Sequence, residues 1–244
     1  MDRLLLLLCM SLSFSTSLAA GSDKELDIAL TLADILRSSR VEIASQQANI
    51  NNPDIGDKGL GGEVVVNNIL GRLKDSTGFD LSEFTESSIE YRLINTQLES
   101  IREIADENQQ LINRKGVGFK GFVPAVFAQL VNERFGEKVG DLATIKVTAP
   151  LHLVRNRKAR PDEWERSVLD NQFSDPSWEA GNLYSETTKA AEGEAFRVMV
   201  PEYYREACLS CHGAPKGELD VTGYPKEGGA LGELGGAISI SLHR

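Results

Sequence analysis

EAFRVMVPEYYREACLSCHG, residues 194–213, joins two kinds of sequence. Its first half is rich in β-branched and aromatic residues and reads as a strand. Its second half carries Cys208, Cys211 and His212 as C-x-x-C-H. Working outward, NLYSETTKA (182–190) reads as a partner strand, joined through the turn AAEGE (190–194). GGAISISLHR (235–244) alternates well enough for a final strand, and TIKVTAPLHLV (144–154) is β-branched enough for another. Between them, RNRKARPDEWERSVLDNQF (155–173) combines a basic loop with a short helix beginning near Pro161. Further upstream the period changes. Leu26, Leu30, Ala33, Leu36 and Ile43 recur at three- and four-residue steps, so 24–50 reads as helix. NNPDIGDKGLGG (51–62) breaks the pattern, and further helices are expected over 63–74, 88–113 and from Pro124 to about 134. The expected fold is α+β, with N-terminal helices (about 24–135) followed by an antiparallel sheet (about 140–244). One domain over 21–244 is the simplest reading; a division into subdomains would fall near residue 136.

The chain has 244 residues, 41% apolar and 25% charged, with a net charge of −10. That acidity argues against a nucleic-acid partner, because phosphate binding needs a basic face. The N-terminus has the three parts of a secretory signal peptide: Arg3, an apolar run from Leu4 to Leu18, and small residues at Ala19 and Ala20. Signal removal after about residue 20 leaves an exported or periplasmic chain with no stable membrane span, the alternative being an uncleaved segment kept as an anchor. It also removes Cys9, leaving Cys208 and Cys211. A single adjacent pair is no disulfide framework and needs its own explanation.

In a helical turn, positions i, i+3 and i+4 share a face. Two thiols so placed can form thioethers with the two vinyl groups along a haem edge, and the imidazole can then reach the iron. This pattern is read as c-type haem attachment, so one haem c is the expected cofactor. A zinc site needs four ligands, and only His152 and His243 are to hand besides the motif. A thioredoxin-like dithiol should open a helix, whereas Gly-rich sequence follows Gly213. GVGFKG (116–121) matches G-x-G-x-x-G but follows a helix end, so it reads as a loop and not a nucleotide site. Asp162 and Glu163 read as helix N-terminal charge.

VPEYYREACLSCHG and the tail KGELDVTGYPKEGGALGELGGAISISL, with VRNRKARPDEWE upstream, resemble a family of exported single-haem c-type domains. The resemblance is strongest over about 140–244. It implies a PAS-like antiparallel sheet carrying haem, and a sensing or redox-signalling role through a protein partner. Some relatives use an N-terminal Cys as the distal iron ligand; the chain past residue 20 has no spare Cys for that role.

The distal position decides function, since an open iron binds gas or peroxide and a closed one exchanges electrons. Met199 on the motif-side strand and His152 on the first strand are candidate ligands beside His212, with an open site as the alternative. Arg155 and Arg157, within the basic run that includes Lys158 and Arg160, are candidates for the haem propionates. Trp164, Tyr203 and Tyr204 are aromatic candidates for packing on the porphyrin, Tyr204 foremost. The expected function is a redox or small-ligand sensor that takes a small gas or a redox signal. An electron-transfer cytochrome is the alternative, and a haem enzyme acting on peroxide or nitrogen oxides a weaker one.

Overall fold

The computed structural model describes residues 16–190 and 193–244, with side-chain environments for 23–189 and 193–244. The expected signal segment lies outside the described residues up to residue 15, as does the hairpin tip at 191–192.

Helices come first. α1 (Thr16–Ser45) turns Ile28, Leu32, Ile35, Leu36 and Ile43 inward at helical spacing, and a short α2 (Gln47–Ile50) follows it. α3 (Gly62–Thr77) begins where Gly62 meets the next helix: a Cβ there would lie 2.2 Å from the Arg102 carbonyl oxygen. α4 (Ile89–Glu107) is capped by Ser88, whose Oγ accepts the Tyr91 N–H at 3.1 Å. The expected long helix breaks at Asn108, whose side-chain amide donates back to the Ile104 carbonyl, and resumes as α5 (Gln109–Ile112). α6 (Pro124–Val139) opens on proline, where the missing N–H costs nothing.

The sheet follows: β1 (Ala143–Thr148), β2 (Tyr184–Ala190), β3 (Gly193–Tyr203) and β4 (Leu234–His243). Its order is β1-β4-β3-β2, antiparallel throughout, with Ile240 of β4 opposite both Ile145 and Val198. Between β1 and β2 lies α7 (Glu163–Val168), capped reciprocally by Asp162 and Glu165. α8 (Glu206–His212) follows β3.

Pleating gives the sheet two faces. Phe196, Val198, Val200, Ile238, Ile240 and Leu242 join the helices in one apolar core. Met199 and Ala237 face the other way, into a smaller cluster with Val168, Leu169 and Phe173. Glu202 fastens the end of β3 to α1 through Arg37 (2.5 Å) and Arg40 (2.7 Å). That anchor fixes the start of the segment that carries the cysteines.

The architecture is the α+β arrangement expected, with a second correction besides the break at Asn108. β1 stops at Thr148 and does not run on to 154. Pro150 cannot donate to a ladder, and the chain turns into a single 3-10 turn, Leu151–Leu153. His152 therefore stands on an exposed turn, not on a strand. GVGFKG lies in the loop between α5 and α6, as read. Among the described residues no helix is long and apolar enough to cross a membrane.

Candidate functional site

The site grows from the end of β3. Tyr203 closes the strand, Tyr204 and Arg205 turn the chain, and α8 brings Cys208, Cys211 and His212 to one face. Both cysteines are free, unbridged thiols of intermediate exposure. The Arg205 N–H donates to Cys208 Sγ at 3.5 Å, an ordinary length for a bond to sulfur. Gly213 follows the helix with extended backbone, and only glycine fits there, since a Cβ would lie 2.6 Å from the Leu209 carbonyl oxygen.

Tyr204 underlies the histidine. Its ring stacks on the His212 imidazole with centroids 5.3 Å apart and planes 21° from parallel. Two glycines make room for it: Cβ atoms at Gly229 and Gly235 would sit 2.4 and 2.5 Å from Tyr204 ring carbons. Backbone bonds close the cradle, from Tyr204 to Glu233, Gly232 to Tyr204 and Gly229 to His212, at 2.8–2.9 Å. Tyr204 Oη is buried without a hydrogen-bond partner. Burial, with Glu227 nearby, pushes its pKa up to about 12, so it is a neutral phenol with an unused donor.

The other side of His212 is ionic. Glu227 Oε2 stands 2.9 Å from His212 Nδ1. The Arg155 fork grips the same carboxylate, Nε to Oε1 at 2.6 Å and Nη2 to Oε2 at 2.9 Å. Arg155 Nη1 also reaches Asp220 Oδ2 at 2.6 Å, and Nη2 donates to the Cys211 carbonyl at 2.9 Å. Asp220 is fully buried. Burial works to raise its pKa, but hydrogen bonds from Thr222, Arg155 and the backbone of Tyr224 outweigh it. They hold the carboxyl well below the usual range. Burial is likewise the largest influence on Glu227 and is likewise overcome, by Arg155 and His212 among others, so this carboxyl also lies below its ordinary value. Three charges thus meet: one guanidinium between two carboxylates.

Of the residues singled out in the sequence, Cys208, Cys211, His212, Tyr204 and Arg155 come together. Arg155 does not stand free for a propionate, because Nε, Nη1 and Nη2 are each engaged by protein oxygens. The basic run does not act as one cluster: Arg157 is exposed, and Lys158 pairs with Glu133 at 2.6 Å. Met199 is fully buried in the small cluster beneath Trp164, Trp178, Tyr184 and Leu234. Trp164 packs there too, under the Arg197 guanidinium at 4.2 Å. His152 is exposed three positions ahead of Arg155. His243 pairs with Thr144 at 3.2 Å across β1 and β4. Glu227 and Asp220 were missed in the sequence; the one signal was Asp-x-Thr at 220–222, a local turn pattern that explains Asp220 alone.

A family model described as Tll0287-like matches residues 84–242. The chain belongs to the Tll0287-like family. The Tll0287-like match takes in the whole sheet and the C-x-x-C-H helix, and reaches back through α4 and α6. It covers the stretch on which the sequence resemblance was strongest, and its name carries no activity. No curated protein and no solved structure matches the chain.

The donors of this Tll0287-like site suit a group that brings most of its own metal ligands. Among the described residues no group of three or more His, Cys, Asp or Glu side chains is arranged to hold a bare metal ion. Two free thiols, an imidazole with one nitrogen engaged, and a buried phenol with an unused donor fit a covalently held haem.

Proposed function

We propose that this Tll0287-like chain is an exported c-type haem protein that reports redox state or a small ligand to a protein partner. One observation carries the reading. Cys208, Cys211 and His212 share a face of α8, and His212 Nδ1 is already engaged by Glu227, leaving Nε2 for a metal. In this reading Cys208 and Cys211 form the thioethers, His212 is the proximal ligand, and Tyr204 and Glu227 hold its ring. The bound haem would supply one-electron chemistry and an iron able to take a sixth ligand. Leu219, Val221 and Leu231, all largely exposed in the loop after the motif, offer apolar surface for the partner.

The test is expression in a host able to attach haem, followed by haem staining after denaturing electrophoresis. Wild type should keep its stain, and Cys208→Ala with Cys211→Ala should lose it. An unstained wild-type band refutes the reading. Reduced spectra with and without carbon monoxide then separate the roles. A shift favours ligand sensing, whereas no shift favours redox sensing or electron transfer.

A further inference from the structure

We infer that Glu227, gripped by Arg155, is the positioning residue that fixes the His212 tautomer and biases the metal it holds toward the oxidised state. This rests on the haem reading above and deepens it.

The geometry supplies the argument. An ionised carboxylate only accepts hydrogen bonds, so at 2.9 Å from Glu227 Oε2 the His212 Nδ1 must carry the proton. In the neutral ring this leaves the lone pair on Nε2, the atom that can bind a metal. The ring cannot easily turn away: Tyr204 stacks on its face, and the Gly229 N–H holds the His212 carbonyl at 2.8 Å. Glu227 cannot turn away either, because the Arg155 fork binds both of its oxygens. The carboxylate is therefore oriented before any cofactor arrives, and a ligating histidine backed by a carboxylate is a more basic donor.

Charge points the same way. Arg155 is shared between Glu227 and Asp220, so the three groups sum to one negative charge. Their side chains are at most 19% exposed, so solvent screens that charge little. A negative group behind the imidazole favours the more positive metal.

The experiment uses the full chain from a haem-attaching host, as wild type, Glu227→Gln and Glu218→Gln. Glu218 is an exposed carboxylate of the same loop, paired with Lys226 at 3.3 Å, and serves as the charge-removal control. Haem staining comes first, and a wild type without covalent haem overturns the haem reading and this inference together. With haem present, spectroelectrochemical titration should show a higher midpoint for Glu227→Gln. At a fixed potential its reduced-to-oxidised ratio should rise about tenfold, equivalent to about 59 mV for one electron. Glu218→Gln should move far less. Equal midpoints for wild type and Glu227→Gln overturn the inference and leave the haem reading standing. Nitrogen-15 spectra of the haem-free wild-type chain give a second readout that needs no variant. Recorded where the ring is neutral, these spectra should show the His212 proton on Nδ1, and the neutral tautomer protonated on Nε2 alone overturns the inference.

Discussion

Replacing Arg155 with Met keeps most of the side chain's length and removes its charge. In the wild type the guanidinium meets a fully buried Asp220 at 2.6 Å and a mostly buried Glu227 through both oxygens. Removing one member of a buried ion pair costs about 3–5 kcal/mol, because the partner's charge is left in place without compensation. Two partners are orphaned here, so the upper half of that range is expected. With a urea dependence of about 3 kcal/mol per M for a chain of this size, the unfolding midpoint should fall by about 1.3–1.7 M at pH 7. The pH dependence is specific. In wild type the folded-state pKa of Asp220 is depressed, so its contribution is present above the unfolded value of about 3.9 and is lost as pH falls through the folded value. In Arg155→Met, Asp220 keeps Thr222 and Tyr224 as donors but loses the cation, so it takes up its proton at a higher pH than in wild type. The variant's deficit should therefore shrink as pH is lowered from 7 into the acid range around and below 3.9. A loss below about 1 kcal/mol at pH 7, or one that stays equal throughout that acid range, would refute the reasoning.

Two more outcomes follow from the same packing. Gly235→Ala would put a Cβ 2.5 Å from Tyr204 Cε1, so the ring must slide off His212. Such overpacking costs about 1–3 kcal/mol, read as a lower urea midpoint, and it should shift the His212 ring protons by altering the Tyr204 ring current. Met199→Leu is an apolar swap of similar volume inside a closed cluster; it should cost under about 1.5 kcal/mol and leave the visible absorption spectrum unchanged.

The fold was largely legible because its elements are locally consistent. The stretch 194–204 has the β-branched and aromatic content of a strand and supplies β3 up to Tyr203, and 182–190 supplies β2, which pairs with it from Tyr184 as a hairpin. The two failures were chemical details that periodicity does not carry. Asn108 interrupts a helix whose apolar spacing continues, and Pro150 ends a strand whose β-branched content does not. The site was half legible. C-x-x-C-H carries its own spacing, and Tyr204 stands close to it in the chain. Glu227 reaches Arg155 from 72 positions away, and no local pattern announces such a pair. Arg155 drew notice as a basic residue, yet the structure gives it acidic neighbours from its own chain instead of leaving it for a ligand.

The strand order has a consequence for biogenesis. β4, the last of the four described strands in chain order, lies between β1 and β3, so those two cannot be joined into one sheet before it docks. The cysteines precede β4, and the loop between them is locked only when it closes on Arg155 beyond β1. A chain emerging N-terminus first therefore has an interval in which α1 to α6 can collapse while α8 still hangs on an unfinished sheet. In that interval the helix that bears the thiols lacks the loop that packs beside it, and docking of β4 ends it. The final strand acts as the latch of the site as well as of the sheet.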